Sequence, residues 1–201
     1  MSTTYQTSRL WVFGYGSLIW NPDFPVADRQ IARLDGWHRS FCMRSIHHRG
    51  SVEAPGLVLA LDRKENALCD GVAFAVEAGH EDATIAALRD RELVSSAYLE
   101  TTLPVTLRLG RQVDALVYVI DPDHDQYCGG LPLEEQAQII ARSVGGRGLN
   151  RDVGATVRTK SAVLFVNSVG ERDSILVRHF IVCRSSAHYC RVQSQLRLVS
   201  N

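Results

Sequence analysis

The sequence predicts an α+β chain whose sheet is mixed or antiparallel, with a closed barrel among its solutions. Short apolar or alternating runs crowd the first two-thirds: LWVF, GLVLAL, GVAFAV, LPVTLRL and ALVYVI, each bounded by Gly, Pro, Asp or charged clusters. Two segments with helical patterning stand out among them. The strand runs follow one another too closely for a helix between most pairs, which a doubly wound parallel sheet would require.

Taken in order, LWVF is a strand that runs into the glycine-rich stretch FGYGSLIW. LVLALDRKENALCDGVAF reads as two strands joined by a polar turn at Arg63 to Asn66. HEDATIAALRDREL is a helix opened by Glu81 and Asp82 and closed by Arg89 and Arg91, the charge order the helix dipole prefers. LPVTLRL and ALVYVI follow as strands. LPLEEQAQIIARSV is a second helix, with Pro132 near its start, a stripe of Leu133, Ala137, Ile140 and Val144, and Gly145-Gly146 as its stop. Beyond Arg151, SAVLFVNSV and SILVRHFIVC are strand-like and RVQSQLRLVSN is weakly patterned. No internal repeat or low-complexity tract interrupts the chain, and 201 residues suit a single domain.

Composition narrows the function classes. The chain is 45% hydrophobic and 22% charged with a formal net charge of zero, which argues against nucleic acid or an anionic membrane as the main partner, since these usually demand a basic face. Local basic clusters such as RSIHHRG are left as small-anion candidates. The N-terminal MSTTYQTSRL lacks the charged-then-apolar order of a secretion signal. No apolar run reaches the roughly 18–20 residues that cross a bilayer. The five cysteines (Cys42, Cys69, Cys128, Cys183, Cys190) are odd in number, without a C-x-x-C pair, and read as reduced thiols. The expected compartment is the cytoplasm.

Few residues are placed to carry chemistry. Glu92 falls on the apolar stripe of the first helix, between Ile85 and Leu88 at about 100° per residue. A carboxylate there either has its pKa raised, as a general base working near neutrality needs, or is neutralised by a neighbour such as Arg44, or escapes to solvent at the helix end. FGYGSL offers backbone N–H groups with no Cβ at Gly14 or Gly16 to block approach, so it is either an anion cradle or simply a tight turn. It lacks the G-K-[ST] of a phosphate loop and the third glycine of a dinucleotide fingerprint. Tyr98 and Tyr118 each place a hydroxyl at a strand, for a ligand or for the core edge. His47, His48, His124 and Cys128 show no metal-ligand spacing, so no metal site is expected. Ser17 has neither a G-x-S-x-G elbow nor a sequence-local histidine to activate it.

Together, WVFGYGSLIWNPDFP, HRGSVEAPGLVLAL, GVAF, RDREL with a tyrosine soon after, and PLEEQAQIIARSVGGRGLNRD resemble the ChaC family of glutathione-specific γ-glutamylcyclotransferases in order and spacing. The resemblance runs from about residue 10 to residue 152. The remaining 153–201 depart from it: Val153 stands where the family has tyrosine, and GATVRTKSAVLFVNSV reads as strand where the family has an amphipathic helix. The resemblance implies a small mixed β-barrel with flanking helices in one γ-glutamylcyclotransferase-like domain. It implies cleavage of glutathione into 5-oxoproline and cysteinylglycine without metal or organic cofactor. It also implies that the loop Val12, Phe13, Gly14, Tyr15, Gly16, Ser17, Leu18 binds the γ-glutamyl moiety and that Glu92 is the acid/base. Arg44 and Arg49 are candidates for the substrate's α-carboxylate, because guanidinium forks match carboxylates. Other γ-glutamyl amino acids or amines as substrates, or a non-catalytic γ-glutamyl-binding regulator of cation transport, are the alternatives. Oligomeric state is not readable from the sequence.

Overall fold

A computed structural model of the chain describes residues 9–146 and the strand backbone at 148–149, 155–159, 162–166, 174–183 and 190–199. Two compact units divide it: Met1–Arg39 with Ala60–His124, and Ser40–Leu59 with Asp125–Asn201.

The expected barrel is present. β1 (Trp11–Gly14), β2 (Val26–Ser45), β3 (Gly56–Val76), β4 (Tyr98–Leu107) and β5 (Gln112–Ile120) close in the order β1-β3-β2-β4-β5. β1 pairs antiparallel with β3 and parallel with β5, at Trp11 with Ala115 and Val12 with Leu116, so the barrel is mixed. Closure leaves no sheet edge in need of a partner. The period-2 alternation of the strands sorts side chains between two cores. Trp11 and Phe13 of β1, Ala73 and Ala75 of β3, and Val113, Ala115, Val117 and Val119 of β5 fill one cluster. The alternate residues Val12, Val76, Leu116 and Tyr118 face the other, together with Leu88 of the helix α1 (Glu81–Glu92). Leu88 is 2% exposed, so burial of its side chain docks α1 on the barrel, worth about 2–3 kcal/mol.

In the second unit, Ile139 and Ile140 of α2 (Leu133–Arg142) pack with Leu57, Phe41, Cys128 and Leu131. Gln126 joins this packing by hydrogen bonds to the Arg44 main chain, accepting from its N–H at 2.8 Å and donating from Nε2 to its carbonyl at 2.7 Å. Three antiparallel strand pairs follow: β6 (Val144–Gly145) with β7 (Gly148–Leu149), β8 (Ala155–Thr159) with β9 (Ala162–Val166), and β10 (Ser174–Cys183) with β11 (Cys190–Val199). The strand reading of the region beyond Arg151 therefore holds at β8, β9 and β10, and the weakly patterned RVQSQLRLVSN falls in β11.

Two expectations need correction. Arg63 to Asn66 is not a turn between two strands, because β3 runs unbroken from Gly56 to Val76. Its polar residues are exposed along the strand, and Asn66 takes a left-handed φ of 60°, which Asn tolerates better than most residues. The second helix ends at Arg142, where Ser143 adopts extended backbone and donates from Oγ to the Ile139 and Pro55 carbonyls. Val144 is thus outside the helical stripe, 54% exposed and in a strand. Finally, the 20-residue β2 was not foreseen, since charged residues interrupt its apolar pattern.

Candidate active site

β1 delivers the glycine-rich loop. Gly14 is a packing glycine: a Cβ there would lie 3.0 Å from Phe74 and 3.1 Å from Leu18. Gly16 is different, since a Cβ there would meet nothing within 4 Å. The chain then makes a single tight helical turn, Ser17–Ile19, closed by the Ile19 N–H donating to the Gly16 carbonyl at 3.0 Å. As at any helix start, the first N–H groups lack intrahelical acceptors. Those of Gly16, Ser17 and Leu18 have no partner among the described residues.

Side chains pin this loop from three directions. The Tyr15 hydroxyl donates to the Tyr118 carbonyl on β5 at 2.9 Å. Arg39 on β2 donates from Nη1 to the Tyr15 carbonyl at 2.9 Å. Arg91 on α1 donates to Ser17 Oγ at 2.9 Å and to the Asn21 carbonyl at 2.7 Å. The same Arg91 places Nε 3.2 Å from Glu92 Oε1, so one guanidinium joins the loop to the carboxylate.

Glu92 ends α1 with its side chain 20% exposed. Burial pushes its carboxyl above the ordinary range, and the Arg91 charge opposes this only in part. Of the readings left open for Glu92, the structure combines two: a desolvated carboxylate and an ion pair, with Arg91 rather than Arg44 as the partner. Its neighbours are phenols. The Tyr15 hydroxyl is pushed well up, by burial first and then by Tyr98 and Glu92. Tyr118 is likewise raised by burial, and by its hydrogen bond to Glu100 Oε2 at 3.0 Å. Glu100 is held ionised by Arg89, which grips it in a two-pronged pair at 2.7 and 2.9 Å and pulls its carboxyl below the usual value. Tyr15, Tyr98, Tyr118 and Glu92 thus form one electrostatically linked cluster beside the loop.

Other expected positions serve differently. Val12 and Phe13 are fully buried in the two cores, and the Leu18 side chain packs in the α1-facing one, so they hold the loop by packing. Arg44 belongs to the second unit, as does Arg49, whose N–H donates to Ser45 Oγ at 3.0 Å. Among the described residues, no group of three His, Cys, Asp or Glu side chains is placed to hold a metal ion. Arg39, Arg91, Arg89 and Glu100 were not singled out from sequence as site residues. Only Arg91 carried a signal, as the residue preceding Glu92.

Comparisons with known proteins bear on the family and the fold. The glutathione-specific γ-glutamylcyclotransferase of Escherichia coli is 37% identical over 141 residues, covering 70% of this chain and 60% of that protein. Glutathione-specific γ-glutamylcyclotransferase 1 of Danio rerio is 37% identical over 145 residues, 71% of this chain and 74% of the relative. A crystal structure of the yeast γ-glutamylcyclotransferase specific to glutathione superposes with a TM-score of 0.64 at 24% identity, over 72% of this chain and 83% of that one, a likeness of fold. The family model described as ChaC-like protein matches residues 10–177. This chain belongs to the ChaC-like family.

Proposed function

We propose that the chain cleaves glutathione by cyclising its γ-glutamyl group, releasing 5-oxoproline and cysteinylglycine. The observation that carries the reading is the Glu92 carboxyl, withdrawn from water and joined through Arg91 to a loop with unpartnered N–H groups. The relatives named for this activity support the substrate.

Chemistry follows from the groups present. The substrate's α-ammonium is unreactive until it loses a proton, and ionised Glu92 accepts it. The freed amine attacks the γ-carbonyl carbon of the same residue, forming the ring N–C bond. Intramolecular attack carries a large effective concentration, so the site's main tasks are to fold the substrate and move protons. Negative charge develops on the carbonyl oxygen, where loop N–H groups stabilise it. The γ-amide C–N bond then breaks as Glu92 returns the proton to the cysteinyl nitrogen. Tyr98 and Tyr118 border the γ-glutamyl group with Tyr15, and Ser17 serves through its backbone. Arg44 is a candidate for a substrate carboxylate. No metal or organic cofactor takes part, and the protein works in the cytoplasm, a reading supported by cysteines patterned as reduced thiols. No helix among the described residues is long and apolar enough to cross a membrane.

Incubation with glutathione and with γ-glutamyl-alanine, assayed for 5-oxoproline, tests the reading. Wild type should turn over glutathione and Glu92→Gln should not. Preference for γ-glutamyl-alanine would move the substrate to other γ-glutamyl compounds. Equal turnover by the variant would remove Glu92 from the mechanism.

A further inference from the structure

Arg39 is the one charged side chain gripping the loop backbone that the scheme above leaves idle. Its position is unusual in a way the β2 sequence hides. Ala32 and Leu34 point into the barrel core, and strict alternation would send residue 39 to the opposite face. Gly36, however, takes a left-handed φ of 78° in mid-strand. Such a bulge resets the alternation, a device that re-aims side chains near functional sites. After it, Trp37 packs on the core, and His38 turns to Asp62, 3.9 Å away. Arg39 thereby reaches the loop.

Its charge has no carboxylate in contact among the described residues, and Asp70 supports it only from a distance. Burial draws the guanidinium below its usual pKa, and the groups facing it are Cys69, Asp70 and Tyr15. The Cys69 thiol, pushed up to about 11 by burial, is neutral, and so is the Tyr15 phenol. Asp70 is engaged by Arg33, whose Nε lies 2.9 Å from its Oδ1. No carboxylate among the described residues lies within 4.0 Å of Arg39, whose one hydrogen bond goes to the Tyr15 carbonyl. A desolvated cation without a counter-ion in contact is costly to the fold, so a purely structural role is a poor account of it.

The bond it makes supplies a better one. In a trans peptide the C=O of residue 15 and the N–H of residue 16 point in opposite directions, and no described peptide bond is cis. Arg39 holds the carbonyl, so the Gly16 N–H is aimed the opposite way; that N–H has no partner among the described residues, and a Cβ on the same residue would meet nothing within 4 Å. Hydrogen bonding at one end of a peptide also polarises the other. We propose that Arg39 is a positioning residue that, from behind the Tyr15–Gly16 peptide, orients and strengthens the Gly16 N–H as a donor to the oxygen of the substrate's γ-carbonyl. The role is realised most in the transition state, when that oxygen carries negative charge. It rests on the cyclotransferase reading above.

The test compares wild type, Arg39→Lys and Arg39→Met for kcat and KM with glutathione, alongside thermal midpoints. Direct removal of an oxyanion donor costs about 10²–10³ in kcat, so loss of the group behind it should cost about 10–100-fold in Arg39→Met. KM should stay within about threefold, and Arg39→Lys, which keeps the charge and a donor, should recover part of kcat. Unchanged kcat in Arg39→Met, a loss confined to KM, or equal kcat losses in both variants would overturn the proposal. Should Arg39→Met not fold, Arg39→Lys decides: a reduced kcat at unchanged KM and midpoint supports it, wild-type kcat overturns it. Absence of turnover in wild type itself would overturn the cyclotransferase reading and this role with it.

Discussion

Consider Glu92→Gln as a perturbation of stability as well as of rate. Glutamine keeps the shape of the side chain but carries no charge at any pH. In the folded state the carboxylate is only 20% exposed, and burial outweighs the pull of Arg91, which is itself 26% exposed. The carboxyl's pKa is therefore higher folded than unfolded, and the native state is penalised whenever the group is ionised. That penalty is absent below the unfolded pKa of about 4.3, grows as pH rises, and is complete above the raised folded value. Each unit of displacement is worth about 1.4 kcal/mol. The variant loses only a partly exposed ion pair, worth about 0–1 kcal/mol, and Arg91 keeps Ser17 Oγ and the Asn21 carbonyl. The variant should therefore be the more stable protein at about pH 8, with the higher thermal midpoint. Thermal melts at about pH 4.5 and pH 8 measure it. The variant's advantage should be small at the lower pH and larger at the higher, while kcat falls by about 10²–10⁴. A variant less stable than wild type at pH 8, or a difference independent of pH, would refute the assignment of Glu92 as a desolvated carboxylate.

The remaining predictions concern the loop. Gly16→Ala should leave the thermal midpoint within about 2 °C, because a Cβ there meets nothing within 4 Å, yet lower kcat/KM at least tenfold by intruding on the ligand's side of the peptide. Gly71→Ala should do the reverse at the level of folding: its Cβ would lie 2.5 Å from the Phe13 ring and 2.6 Å from the Gly14 carbonyl, a clash costing about 1–3 kcal/mol or more by thermal or urea melts. Ser17→Ala removes only the acceptor of one Arg91 bond, so kcat should fall less than about tenfold, with no burst phase in either protein. A loss of several orders of magnitude would restore Ser17 as a nucleophile. In wild type, activity should rise with pH through a limb lying above the ordinary carboxylate range, since Glu92 must be ionised to accept the proton.

What the sequence revealed tracks how local each signal was. β1 and β5 were legible as short apolar runs buried on both faces, β4 by the alternation of Leu103, Val105 and Leu107, and α1 by the acids that open it and the arginines that close it. β2 was not, because its exposed positions carry Arg29, Arg33 and Asp35 and its phase changes at Gly36. The run at Arg63 to Asn66 looked like a turn because its residues are polar, but polarity reports exposure, and these lie on an exposed stretch of strand. In the candidate site, Glu92 was visible as a carboxylate on an apolar stripe. Arg39 and Glu100 were not, since their roles arise only when barrel closure brings β2, β4 and β5 to one loop. Long-range pairing of this kind leaves no periodic trace in a single sequence.

The cyclotransferase reading stands on one step, breakage of the γ-amide by the substrate's own amine and not by water. Turnover of glutathione in ¹⁸O-enriched water, followed by mass spectrometry, tests it directly. Cyclisation gives one cysteinylglycine for each 5-oxoproline, and no solvent oxygen in the 5-oxoproline. Glutamate as the product, ¹⁸O in the released acyl group, or no turnover at all would contradict it.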